Sequence, residues 1–260
     1  MTGEPRRPRD ERRHVLLTGG CGGIGRVIAA ALLRAGYAVT LSDQRPQEQG
    51  DAAAAALRDA VAGAEVSYSP ADVRDPDAVA ALVAGMPRID VAIANAAIGR
   101  SAPILDLTHE EWQAHLDANL TGAFLTGQAA ARRMAAEGTE GLLLFTSSWI
   151  AQIPWPEMTA YAATKAGIEM LMKQFARELG PRGIRANAIA PGIVAAGMAQ
   201  HQLDTEPDYA ARASRVVPLG RLQTAESVAD AVVYLCSPQA SYMTGTTLTI
   251  DGGSSLFAFD

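Results

Sequence analysis

The chain has 260 residues, of which 48% are hydrophobic and 19% charged, and its net charge is −6. That composition supplies a substantial core, and its acidic balance gives no surface suited to nucleic acid. Cys21 and Cys236 make neither a disulfide framework nor a metal site, no apolar run reaches the roughly 18 residues of a membrane span, and the N-terminus lacks the apolar stretch of a signal peptide, so a cytoplasmic setting is expected.

Residues 1–12 carry Arg6, Arg7, Arg9 and Arg12 among acids and prolines and read as a flexible basic tail. His14 to Thr18 is a short apolar strand running into a glycine cluster. Residues 24–35 then place Ile24, Ile28, Ala31 and Leu32 on one helical face and stop at Gly36. Ala38 to Ser42 is a second strand, ending at Asp43. An alanine-rich helix covers 51–62, a third strand 65–68 and a helix 75–84. Val91 to Ala94 is a fourth strand, ending at Asn95. Two long helices follow at about 108–119 and 121–136. Leu142 to Phe145 is a fifth strand, apolar on both faces as buried parallel strands are. A helix through Tyr161 runs to about Leu179, a sixth strand covers 184–189, a helix 225–236 and a seventh strand 246–250.

This alternation predicts an α/β, Rossmann-type, doubly wound sheet of seven parallel strands flanked by helices, in a single domain over residues 13–260. Residues 192–224 show no clear periodicity and follow the sixth strand. Ligands bind beyond the carboxyl ends of strands in such sheets, so this stretch reads as a substrate lid.

Three features carry chemistry. The loop Thr18-Gly19-Gly20-Cys21-Gly22-Gly23-Ile24-Gly25 lies between a strand and a helix, where glycines let backbone approach a pyrophosphate and the helix N-terminus supplies N–H donors. Asp43 follows 18 residues after Gly25, where a carboxylate hydrogen-bonds ribose hydroxyls and repels a 2′-phosphate, favouring NAD(H) over NADP(H) even with Arg45 nearby. Tyr161 and Lys165 stand four apart on one helix, in a chain with only two lysines, Lys165 and Lys173. An ammonium beside a phenol favours phenolate, so the Tyr161 pKa is expected to fall towards working pH.

Together these residues resemble the short-chain dehydrogenase/reductase family in its single-domain form of about 250 residues, over residues 12–253. The pieces come in order: the loop from Thr18 to Gly25, Asp72 and Val73, Asn95-Ala96-Ala97, Asn119, Ser148 thirteen residues before Tyr161, Lys165, Pro191-Gly192, and Asp251-Gly252-Gly253. The resemblance implies an NAD-dependent oxidoreductase that interconverts a secondary alcohol and a ketone. Tyr161 would be the general acid or base, Lys165 would lower its pKa and hold the nicotinamide ribose, and Ser148 would hydrogen-bond the substrate oxygen. Asn119 would hold a water of a proton relay, and Ser147 would serve structure. Gly19, Cys21, Gly22, Gly23, Ile24, Gly25, Asp43, Asp72, Val73, Asn95, Ala96, Ala97, Pro191, Gly192, Ile193 and Val194 would hold the cofactor with Tyr161 and Lys165.

Gly22 stands where NADP-preferring relatives often carry a basic residue, in agreement with Asp43. Two positions depart from the family pattern: Ala97 replaces the commoner glycine, and Ala196 a threonine that contacts the nicotinamide carboxamide. Substrate contacts are expected from Ser148, Trp149, Trp155, Tyr161 and Met198, with Ile98, Gly99, Gln152 and His201 as further candidates. They suit a cyclic or polyhydroxylated alcohol. A 3-oxoacyl or polyketide-type carbonyl reductase, a redox-silent dehydratase or epimerase, and a non-catalytic dinucleotide sensor stand as alternatives. Relatives are usually homotetramers, and Ala118, Gly122, Ala123 and Ala129 would let the two long helices pack closely on a symmetry mate. No metal is expected.

Overall fold

A computed structural model describes residues 12–256 of the chain. Among them, seven strands form one parallel sheet in the order β3-β2-β1-β4-β5-β6-β7. The strands are β1 (His14–Thr18), β2 (Ala38–Asp43), β3 (Val66–Pro70), β4 (Val91–Ala94), β5 (Leu142–Thr146), β6 (Arg185–Pro191) and β7 (Thr247–Ile250). The helices are α1 (Gly23–Arg34), α2 (Gln47–Ala60), α3 (Pro76–Gly85), α4 (His109–His115), α5 (Gly122–Glu137), α6 (Thr159–Leu179), α7 (Gly197–Thr205), α8 (Pro207–Val216) and α9 (Ala225–Cys236). The predicted seven-stranded doubly wound fold is the observed one. Residues 1–11 of the expected basic tail lie outside the described residues; Arg12 donates to Gly63 O at 2.8 Å.

Strand alternation builds a core on each face of the sheet. Val15, Leu17, Leu142 and Leu144 point to one side, against Ile28 and Leu32 of α1 and Val228 and Val232 of α9. Leu16, Leu143 and Phe145 point to the other, against Leu82 of α3, Met134 of α5 and Met172 of α6. Burying both faces explains why β5 has no polar side to show. The strand order reverses between β1 and β4, which opens a crevice at their carboxyl ends.

Two expectations change. The helices expected at 108–119 and 121–136 form one run, in which a π-helical stretch from Leu116 to Thr121 joins α4 to α5. A capping box between Thr108 and Glu111 starts it. Small residues on this run also pack within the chain. A Cβ on Gly122 would lie 2.7 Å from Val73 Cγ2, Ala123 sits in the core with Ala129 packed against it, and Ala118 lines the crevice. The aperiodic stretch after β6 contains two helices, α7 and α8. Tyr209, Ala213 and Val216 of α8 bury against Trp149 and Trp155, so its pattern answers to local neighbours rather than to the sheet.

Candidate active site

The glycine loop is shaped by contacts that leave no room for side chains. Gly19 has φ +65°, and a Cβ there would lie 2.9 Å from Ala96 Cα; one on Gly25 would lie 2.2 Å from Gly19 O. Thr18 Oγ1 accepts from Asn95 N at 3.1 Å and Ala96 N at 3.3 Å, tying the end of β1 to the loop after β4. The first turn of α1 has neither a side-chain cap nor an acidic residue, so its N–H groups and positive dipole end remain available to an anion. Gly22 to Gly25 line a cleft of ≈ 380 Å³.

The same cleft takes in Asp43 at the end of β2, Asp72 and Val73 after β3, Asn95 to Ile98 after β4, and Tyr161 and Lys165. Arg74 forks the Asp72 carboxylate at 2.6–3.0 Å, and that hydrogen bonding holds the acid below the usual carboxylate range despite some burial. Asp43 stands 3.9 Å from Arg45 Nε. Cys21 turns its side chain into the core instead, since it is small and apolar enough to fill the space under the loop.

Beyond Tyr161 lies an inner pocket of ≈ 110 Å³, lined by Ser148, Trp149, Trp155 and Tyr161 together with Pro191, Gly192, Val194 and Ala196. Gly99 lines it too, whereas Ile98 lines the cleft. Tyr161 and Thr146 border both spaces. Ile193 is buried with the aromatic cluster and lines neither. His201 is exposed on α7, and the side chain of Met198 is outside the described residues. Below Gly192, a Cβ would lie 2.8 Å from Asp251 Cα, so the turn at Asp251 underpins this wall.

Ser147 Oγ reaches Lys165 O at 3.2 Å and Glu169 Oε1 at 3.0 Å, while Gln152 Nε2 donates to Glu169 Oε2 at 3.3 Å. The buried Glu169 therefore pins the segment that carries Ser148 to the helix that carries Tyr161. Asn119 acts as a second strut. Its Oδ1 accepts from Ile98 N at 2.8 Å, and its Nδ2 donates to Ile98 O at 2.9 Å and Thr164 Oγ1 at 3.2 Å. Both amide protons are used, so a bridging water at this residue would meet the second lone pair of Oδ1 or the backbone.

The expected depression of the Tyr161 pKa is not found. Burial pushes Tyr161 up to about 12, with the Ser148 side chain offsetting part of the rise. Burial likewise lowers Lys165 to about 7. Lys165 Nζ donates to Thr146 O at 2.7 Å and stands 5.2 Å from the Tyr161 ring centroid. Desolvation weakens the very cation that was to stabilise phenolate, and the backbone carbonyl holds what charge remains.

A family model described as "Enoyl-(Acyl carrier protein) reductase" matches residues 20–255. The chain is 37% identical to the L-rhamnose 1-dehydrogenase (NAD(P)(+)) of Azotobacter vinelandii, over 92% of this chain and 95% of that protein. It is 35% identical to 3beta-hydroxysteroid dehydrogenase 1 of Eggerthella lenta, over 94% of each. The chain belongs to the short-chain dehydrogenase/reductase family. A solved relative in this family, a putative 2-deoxy-d-gluconate 3-dehydrogenase from Agrobacterium tumefaciens with bound NADP, superposes with a TM-score of 0.85 at 30% identity, covering 95% of this chain and 98% of that one. Family membership makes the protein an oxidoreductase that works with a nicotinamide cofactor. The cleft fits such a group on its own geometry: it joins an uncapped helix N-terminus to a glycine turn no side chain can fill.

Several site residues had no signal in the sequence. Glu169 is one helical turn past Lys165 but belongs to no recognised spacing. Arg74 reads as an ordinary exposed arginine. Gln202 and Tyr209, which line the inner pocket, sit on the two helices whose periodicity is obscured.

Proposed function

We propose that the protein is an NAD(H)-dependent oxidoreductase that interconverts a secondary alcohol and its ketone, with a cyclic or polyhydroxylated alcohol as substrate. The observation that carries this reading is the position of Tyr161, whose side chain borders both the cofactor-sized cleft and the inner pocket, with Ser148 in the pocket and Lys165 in the cleft. The cofactor, when bound, supplies or accepts the hydride.

The chain's own part is proton handling and orientation. A phenol held near a pKa of about 12 is a neutral donor at neutral pH, ready to give its proton to an oxygen in the pocket as negative charge develops there. The Ser148 hydroxyl donates to that same oxygen. Lys165 and Asn119 keep Tyr161 and the loop after β4 in register, and segment 192–224 closes the pocket as a lid. Gly19, Gly22 to Gly25, Asp72, Val73 and Asn95 to Ala97 would hold the cofactor, and Asp43 would select NAD by facing its ribose hydroxyls. Asp43 lines the cleft and Arg45 does not, which supports that choice. A homotetramer is proposed as the assembly, with the exposed Phe124 and Met170 as its apolar contacts.

The test is Tyr161→Phe. NADH binding should survive while turnover of every secondary alcohol in a broad panel is lost; a variant that retains substantial turnover would remove Tyr161 from the proton transfer.

A further inference from the structure

The inner pocket differs in chemistry from the cleft beside it. Among the described residues no charged side chain lines it, whereas Asp43, Asp72, Arg74, Arg100 and Lys165 line the cleft. Its walls are rings. Trp149 and Trp155 meet edge to face with centroids 5.0 Å apart, and Trp155 meets Tyr209 in the same way at 6.0 Å. All three rings are buried, so the walls are stiff as well as apolar. Arg212 lies over Trp155 but does not line the pocket, and its Nη2 pairs with Glu157 at 3.3 Å.

Few polar side chains among the described residues remain for a substrate, and the Tyr209 hydroxyl is one of them. Thr146 Oγ1 donates to Asn95 Oδ1, and Ser147 Oγ is taken up by Lys165 O and Glu169. Ser148 and Tyr161 serve the reacting oxygen. From the lid, Gln202 enters with Nε2 set towards Ser101 Oγ and, at 3.5 Å, towards Glu206 Oε1. Its Oε1 is therefore the end left to receive a hydrogen bond.

We propose that this pocket takes a compact, uncharged, ring-shaped secondary alcohol or its ketone, and that Gln202 Oε1 accepts from a second hydroxyl on that ring. The inference rests on the dehydrogenase reading above and narrows it to the cyclic, mainly apolar half of its substrate range. A carboxylate would be buried with no cation among the described lining residues to pair it, and a polyol would press most of its hydroxyls against ring faces that cannot satisfy them. An apolar ring instead replaces water along the indole walls and leaves one hydroxyl for Gln202.

The experiment titrates the full chain, with and without NADH, using cyclohexanol, cyclohexane-1,4-diol, 4-hydroxycyclohexanecarboxylate and sorbitol, and follows the fluorescence of the tryptophans in the pocket wall. The diol should bind tightest, with the carboxylate and sorbitol weaker by at least about tenfold, the scale of an unpaired polar group in a closed site. Gln202→Leu should cost the diol about tenfold and cyclohexanol much less, and Trp155→Ala should weaken both rings. Carboxylate or sorbitol binding as tightly as the diol, or no binding of either neutral ring, would overturn the substrate class. Equal losses for the diol and cyclohexanol in Gln202→Leu would overturn the role of Gln202. NADH binding is read separately: its absence would sink the dehydrogenase reading, while the ring titrations would still decide the pocket.

Discussion

The cleft and the inner pocket share Tyr161 but are made of different things. The cleft is largely backbone: glycine turns, strand ends and the first turn of α1, with charged side chains at its margins. The pocket is largely side chains, drawn from the loop after β5, the end of β6 and the two helices of segment 192–224. A backbone site can hold one conserved shape, such as a diphosphate, because N–H groups and helix ends cannot be exchanged by mutation. A side-chain site changes with each substitution. The contrast lets the cleft stay fixed in shape while the pocket varies with its side chains.

Mutations can break this comparison at either end. The largest effect is expected at Tyr161, which borders both spaces. Tyr161→Phe should lower kcat by roughly 10²–10⁴-fold, the range of a positioned acid or base, with NADH affinity little changed by calorimetry. A backbone site should tolerate almost nothing, so Gly25→Ala, which places a methyl 2.2 Å from Gly19 O, should abolish NADH binding and destabilise the fold by about 1–3 kcal/mol in urea melts. NADH binding at wild-type strength in that variant would show that the loop yields more easily than its contacts imply.

Next comes the buried charge. The folded-state pKa of Lys165, about 7, is below its ordinary 10.5, so the folded chain holds fewer protons than the unfolded chain between those values. Stability should therefore rise with pH across that window, since burying the ammonium is a cost that deprotonation relieves. Tyr161 has the opposite sign: with its pKa raised from 10 to about 12, it removes stability as pH climbs through that range. Lys165→Met should raise the melting temperature most below pH 7, with the gain shrinking towards pH 10.5. A gain that is flat with pH would mean the ammonium is not penalised by burial. The smallest effect belongs to the cleft margin. Asp43→Ala should narrow the ratio of kcat/KM for NAD over NADP by about tenfold, the loss of one ribose contact and one like-charge repulsion. A wild-type preference for NADPH would show instead that Arg45 governs this margin.

Much of the fold was legible because its signals are local. Alternating apolar strands, Asp43 and Asn95 at strand ends, and the glycines between β1 and α1 lie close together in sequence and mean the same thing in any parallel sheet. Tyr161 and Lys165 were legible for the same reason, being one helical turn apart. Their electrostatics were not. The spacing pointed to a lowered phenol pKa, yet Lys165 is buried and Tyr161 partly so, and desolvation disfavours the charged form of each. Gly122 on the α4–α5 run meets Val73 across a long separation in sequence, a contact that no local pattern gives.

By itself, then, the sequence determined the parallel sheet, the glycine turn and the trio of Ser148, Tyr161 and Lys165, because each follows from periodicity or from a fixed short spacing. Only the tertiary structure decided that Gln202 and Tyr209 join Trp149 and Trp155 around one uncharged pocket, and that Glu169 and Asn119 brace the segments beside it. These contacts link residues tens of positions apart, and burial, which sets both the chemistry of the pocket and the protonation of its neighbours, is a property of the packed molecule.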